Sequence, residues 1–203
     1  MKSLLKISRE IRAIAQTGLA YCKDPYDRDR YARLEAIATE MVREGHNLED
    51  FQWPAETGYP TPKVDVRGFV FRDDSLLMVR EASSGKWSVP GGWADVNLTP
   101  AENVEKECLE ETGHTVRAET ILSVLDRDRA GYPRFPEAIY KIHFLCEYLS
   151  GEPRPSFETP EVAFFPLDAL PEIDTCRIQM RDIERAQTCM KHPANQTWFQ
   201  RSS

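Results

Sequence analysis

The passage from Pro90 to Gly113 leaves this chain little conformational choice, because both ends of a helix are written into it. Thr99, Pro100 at the first helical position and Glu102 three residues after Thr99 make a capping box, and Gly113 suits the left-handed residue that closes a helix. A helix is therefore expected over about Pro100 to Thr112. At about 100° per residue, Glu107, Glu110 and Glu111 form an i, i+3, i+4 set on one face, while Ala101, Val104 and Cys108 form a neighbouring apolar stripe that faces a sheet.

Carboxylates at these steps repel one another by a few tenths of a kcal/mol per pair unless solvent or a cation screens them. A solvated acidic face satisfies the same three residues. The adjoining Gly91-Gly92 tips the balance toward a hard divalent cation, because glycine backbone can approach an ion closely and magnesium or manganese takes oxygen ligands together with substrate phosphates. Asp95 lies in the same loop as a further carboxylate. The net charge of -7 argues against a broad electrostatic grip on nucleic acid, and implies that an anionic substrate needs metal or a few placed cations.

Ahead of this passage, Leu4, Ile7, Ile11, Ile14 and Gly18 recur at three- and four-residue steps, the seam of an amphipathic helix. Asp24-Pro25 caps a second helix whose seam is Tyr31, Leu34, Ala38 and Met41, with Gly45 as its expected C-cap. Two helices cannot bury both faces alone, so a hairpin over residues 1–50 is expected to pack on the rest of the chain or on a second subunit, and a homodimer is the natural form. A proline-rich linker runs from about Leu48, with 51–62 as its body, and the main domain spans 63–203. There Val64, Val66, Gly68 and Val70 alternate with Asp65, Arg67, Phe69 and Phe71, and Leu76–Arg80 completes a hairpin. Further strands are expected over Val116–Leu125 and Ala138–Tyr148, and a C-terminal helix capped by Asp174 or Thr175 carries Ile178, Ile183 and Ala186. This mixture without regular alternation indicates an α+β domain with a mixed sheet. Charges interrupt the start of the chain too often for a signal-peptide core, and no apolar run is long enough to cross a bilayer, so a cytoplasmic protein without membrane contact is expected. Five scattered cysteines without CxxC spacing suggest reduced, mostly buried thiols.

The central passage resembles the Nudix box, G-x5-E-x7-R-E-U-x-E-E-x-G-U with U aliphatic, beginning at Gly92. Lys106 stands in the place of the arginine, Glu107, Glu110 and Glu111 match the three later glutamates, and Gly113 matches the closing glycine. Cys108 and His114 take the aliphatic places, and Leu98 replaces the first glutamate. Gly85–Gly92 and Glu161–Leu170 also resemble the segments flanking the box, so the likeness covers about 63–190. With the leading helices, Glu-Thr-Gly-Tyr-x-Thr-Pro-Lys-Val and Gly-Gly-Trp-Ala-Asp, the chain is similar to the subgroup acting on X-linked nucleoside diphosphates, CDP-choline pyrophosphatase among them, in which the first box glutamate is missing.

The resemblance implies a mixed sheet sandwiched by helices and metal-dependent hydrolysis of a diphosphate linkage, of CDP-choline or ADP-ribose type. It gives metal binding by Mg2+ or Mn2+ to Glu107, Glu110, Glu111 and the Gly92 backbone, and orientation of the glutamates to Lys106. The general base is expected among these glutamates or at Glu158 or Glu161. Arg80 is the first candidate for a phosphate contact, with Arg67, Arg127, Arg129 and Lys141 behind it, and Trp93 or Trp87 for stacking a base. His143, alternating within a strand, is read as structural. Leu98 is expected to support loop packing, off the glutamate face. Dinucleoside polyphosphates, RNA ends and a non-catalytic nucleotide sensor are the competing readings; intact Glu107, Glu110 and Glu111 count against the last, and RNA has only the basic stretch Arg28 to Arg33 in its favour.

Overall fold

In the computed structural model, residues 4–46, 49–192 and 197–201 are described; the expected linker start at Leu48 lies outside them. The chain forms two compact units, residues 1–62 with 135–138, and residues 63–134 with 139–203.

The first unit holds α1 (Leu4–Tyr21) and α2 (Pro25–His46). Asp24 Oδ1 accepts the N–H groups of Tyr26 and Asp27, as its capping position requires. Gly18 lets α2 come close: a Cβ there would lie 2.4 Å from the Tyr31 ring. One expectation changes. Gly45 does not end α2, which continues to His46; it instead makes room for Leu4, which a Cβ would meet at 2.6 Å. The buried face of α1 is Leu5, Ser8, Arg12, Ala15 and Gln16, one residue out of phase with the apolar seam, whose Leu4, Ile7 and Ile14 are exposed. Hydrogen bonds explain the exchange: Ser8 donates to Ala38 O, Arg12 to Pro54 O at 3.1 Å and Gln16 to Gly58 O at 3.1 Å. The segment read as a linker thus lies along α1, its backbone satisfied by α1 side chains.

The second unit contains β1 (Lys63–Arg72), β2 (Ser75–Arg80), β3 (Trp87–Ser88), α3 (Pro100–Thr112), β4 (His114–Asp126), β5 (Ile139–Gly151), β6 (Glu161–Pro166), α4 (Met180–Lys191) and β7 (Trp198–Phe199). The seven strands make one mixed sheet in the order β3-β2-β1-β5-β4-β7, with β6 also paired to β2. Parallel pairing of β1 with β5 sets its centre, from Lys63 opposite Ile139 to Val70 opposite Cys146. Val66 and Val70 face α3, packing with Val104, Cys108 and Cys146; Phe69 faces the other way, toward Ile178, Ile183 and Ala186. Helices cover both faces of the sheet, so the alternation in β1 does not separate a wet face from a dry one. All of Asp65–Val70 is buried. The C-terminal helix begins later than expected. Asp182 accepts the N–H of its N-cap Gln179 at 3.0 Å, while Asp174 opens a separate turn by accepting Cys176 N at 2.9 Å.

Burial of the polar half of β1 is made possible by ion pairing. Arg67 donates to both Asp65 oxygens, at 2.8 and 3.1 Å, and Lys141 approaches Asp65 at 2.5 Å. Burial alone pushes the Asp65 carboxyl up, but Arg67 and Lys141 outweigh it and hold it well below the usual carboxylate range. Lys141 falls to about 8, because burial outweighs the pull of Asp65. His143, beside Ser123 and 3.9 Å from Asp182, is pushed down to about 3 by burial and stays neutral. Its folded pKa lies below its unfolded value near 6.5, so the stability tied to it is complete above that value and is lost as pH falls toward 3. We therefore expect the unfolding free energy of His143→Gln to depend less on pH than that of the natural protein between pH 6 and 4, by up to about 1.4 kcal/mol per pH unit. Urea titrations at several pH values measure this; parallel profiles overturn it.

Candidate active site

The capped helix forms as its sequence dictates. Glu102 N donates to Thr99 Oγ1 at 3.2 Å, Thr99 N donates to Glu102 Oε2 at 2.7 Å, and Gly113 is left-handed at φ 78°. The helix is held against a strip of extended chain, Pro90 to Ala94, that pairs with β1: Val66 N donates to Gly92 O and Gly68 N to Pro90 O, both at 2.9 Å. Gly91 is the tightest point of the strip. Its φ is 140°, and a Cβ there would stand 2.1 Å from the Val66 carbonyl oxygen, which excludes every residue with a side chain.

The three glutamates divide in two. Glu111 turns inward, and its Oε2 accepts the Gly91 N–H at 2.8 Å. Glu107 is 17% exposed and sits over Gly92, where a Cβ would meet its carboxylate at 3.0 to 3.4 Å. Glu110 is 58% exposed and pairs outward with Lys106 at 2.9 Å. Lys106 also reaches Asp95 at 3.2 Å and Glu107 at 3.9 Å, so it bridges loop and helix; hydrogen bonds to Glu110 and Asp95 hold its ammonium above the usual lysine range. Burial raises the Glu111 carboxyl to about 7, with Glu107 and Glu81 adding to the push and Arg67 and the Gly91 N–H opposing it. Burial likewise raises Glu107.

This donor set fits a hard cation. Glu107 and Glu111 present oxygens whose charge is under-compensated, and the glycines leave open the space that a side chain would fill. Among the described residues no three His, Cys, Asp or Glu side chains are gathered closely enough to hold an ion by themselves.

Several side chains singled out from sequence sit elsewhere in the arrangement. Arg67 is fully buried, with its guanidinium on Asp65 and Val89 O, and it acts on Glu111 from beneath through charge rather than reaching solvent. Lys141 is buried on Asp65, and Arg127 is buried with hydrogen bonds to the Pro133 and Cys176 carbonyls. Arg129 is exposed, 3.9 Å from Asp126. Arg80 is partly exposed but engaged by Glu161 and by Gly85 O. Trp93 is 48% exposed beside Gly92, whereas Trp87 packs on Phe165. Glu158 is exposed at the tip of the loop before β6. Leu98 is 39% exposed, so its side chain does not fill a core; the loop is fastened through its carbonyl instead.

The fastener is Asn103, which the sequence reading overlooked. Its side chain accepts Asp95 N at 2.7 Å and donates toward the Asp95, Leu98 and Thr99 carbonyls. An asparagine in the first turns of a capped helix, a residue that bonds readily to nearby backbone, was the available signal. Glu81 was also overlooked; it is buried, pairs with Arg177 at 3.3 Å and bears electrostatically on Glu111.

Against known proteins, residues 61–186 match the NUDIX domain, and residues 2–50 match the UDP-X-like, N-terminal oligomerisation domain. A putative ADP-ribose pyrophosphatase of Bacillus subtilis is 40% identical over 200 residues, 96% of each chain. Among solved structures, a UDP-X diphosphatase is 30% identical, with 97% of both chains covered and a TM-score of 0.63. An ADP-ribose pyrophosphatase of Streptococcus suis is 34% identical, covering 69% of this chain and all of its own, also with a TM-score of 0.63.

Proposed function

Because this chain belongs to the Nudix hydrolase family, we propose that Glu107, Glu111 and the Gly91-Gly92 loop are the centre at which it hydrolyses its substrate. It is a Nudix pyrophosphohydrolase that cuts the diphosphate bridge of a nucleoside diphosphate joined to a second group, in keeping with relatives named for ADP-ribose and UDP-X. The observation that carries the site assignment is the inward pair, Glu111 on the Gly91 N–H and Glu107 over Gly92.

Divalent metal is a general requirement of the family, and Mg2+ or Mn2+ is the fit for an all-oxygen donor set. When bound, such an ion neutralises phosphate charge and makes a water more acidic. Glu107 and Glu111 hold it, together with backbone oxygen of the glycine loop at Gly92; Glu110, more exposed, serves the outer side. Lys106 orients Glu107 and Glu110 and fixes the loop through Asp95. The proton from water goes to a carboxylate of this set or to one on the loop before β6, where Glu158 is exposed. Trp93 offers a ring beside the same loop, and Arg80 a phosphate contact once it leaves Glu161.

The experiment is a panel of CDP-choline, ADP-ribose, a UDP-linked sugar and a short RNA with either metal. The expected products are a nucleoside monophosphate and the phosphorylated second group, and excess EDTA abolishes turnover. Inorganic phosphate as sole product, or activity that survives the chelator, contradicts the assignment.

Residues 63–203 form the catalytic unit in this reading, and residues 1–50 join two copies into a homodimer. Support comes from the inverted α1, whose polar face is buried while Leu4, Ile7 and Ile14 are exposed, and from the match to an oligomerisation domain. Ile7→Glu with Ile14→Glu should halve the mass measured by light scattering; an unchanged mass refutes this interface. Among the described residues no helix is long and apolar enough to cross a membrane. A cytoplasmic location belongs to the same proposal.

A further inference from the structure

The loop leading to β6 carries a ring that the mechanism leaves unused. Phe157 is 97% exposed, yet the turn beneath it is firmly built. Ser156 N donates to Thr159 O at 3.0 Å, Thr159 N donates to Ser156 Oγ at 3.0 Å, and the two hydroxyls bond at 2.8 Å. Two hydrogen bonds fix the turn to the end of α3 and to the chain that follows β2. The fully buried Thr159 donates its hydroxyl to the backbone carbonyl of Glu111 at 2.9 Å, and Ala82 N, next to Glu81, donates to Glu158 O at 2.8 Å.

A large apolar ring in water gains nothing for the folded chain, and a tight turn around it removes the freedom it needs to fold back. The turn that carries it is bonded through Thr159, two residues further on, to the backbone carbonyl of Glu111, and this neighbourhood gives the ring a use when a flat ligand arrives. We infer that Phe157 is a stacking platform for the planar base of the nucleotide substrate, and so a residue that tells a nucleotide from a phosphate ester without a base. The inference rests on the hydrolase reading above. Stacking tolerates every base, since each offers a π-face, which suits an enzyme that recognises a nucleoside diphosphate more than one particular base.

Two measurements test it. In steady-state assays Phe157→Ala should raise KM for the best substrate of the panel on the order of tenfold, with kcat changed by less than about twofold, while Phe157→Trp restores KM. As a competitive inhibitor AMP or UMP should weaken against Phe157→Ala by a similar factor, whereas ribose 5-phosphate, which has no base, should not. The second measurement needs no turnover: in EDTA, the added fluorescence of Phe157→Trp over the natural protein should be quenched by AMP or UMP and not by ribose 5-phosphate. If no panel compound is hydrolysed, the hydrolase reading fails while the quenching experiment still decides the role of the ring. Equal effects on AMP and ribose 5-phosphate, or no quenching, overturn the inference. A lower oligomeric mass for Phe157→Ala also overturns it, by making the ring a subunit contact.

Discussion

Glu111→Gln is expected to lower kcat by on the order of a hundredfold or more, near 3 kcal/mol in the barrier. The amide oxygen of glutamine can still accept the Gly91 N–H, so the loop stays in place, and what disappears is one negative charge at the most enclosed oxygen pair of the site. The loss should be accompanied by weaker Mn2+ binding, read by titration calorimetry. Leu98→Glu is the informative contrast. Leu98 is partly exposed on the loop before Thr99, and restoring the family's glutamate there should change kcat by less than about tenfold, roughly 1.4 kcal/mol. An inert natural protein that Leu98→Glu switches on is a degenerate Nudix domain, and a sensing role takes over. Unchanged kcat and metal affinity in Glu111→Gln put the metal elsewhere.

The second large effect is on stability. Asp65→Asn should destabilise the catalytic unit by about 3 to 5 kcal/mol, because it leaves Arg67 and Lys141 buried without their shared counter-ion. Lys141, already down to about 8, can shed its proton; Arg67 cannot. The triple change Asp65→Leu, Arg67→Met and Lys141→Met should recover most of the loss, since apolar groups of similar volume satisfy a buried site as well as ions do. Urea unfolding of the three proteins measures both. A single variant within about 0.5 kcal/mol of the natural protein shows that the pair is solvated in solution.

The parts legible in the sequence are those decided by neighbouring residues. Thr99, Pro100, Glu102 and Gly113 specify the ends of α3 through bonds spanning four residues or fewer, and the facing of Glu107 and Glu111 follows from helix geometry alone. Where partners are distant, the reading fell short. The burial of Asp65 and Arg67 was not legible, because alternation cannot reveal that layers cover both sides of the strand and that Lys141, 76 residues from Asp65, completes the pairing. The seam of α1 was seen as apolar, with the rest of the chain or a second subunit to cover it; that the adjacent polar face is the one buried went unseen, because Ser8, Arg12 and Gln16 find backbone partners that sequence spacing does not announce. Arg80 and Arg67 were weighed as cations facing a substrate; their carboxylate partners come from other strands or across one residue of the same strand.

The side chains that fasten the glycine loop lie between Gly91 and Gly113: Glu111 on Gly91, Lys106 on Asp95, Asn103 on Asp95 and Thr99, Glu102 on Thr99. Loop and helix therefore make a cassette that locks onto itself, and its outside requirements are few. It needs a strand that offers two N–H groups and a carbonyl where Val66, Gly68 and Val64 do, with no bulk over Gly91, and an apolar socket for Val104 and Cys108. Exchanged whole between scaffolds the cassette should keep its shape; exchanged in halves, split between Asp95 and Asn103, it should lose the loop.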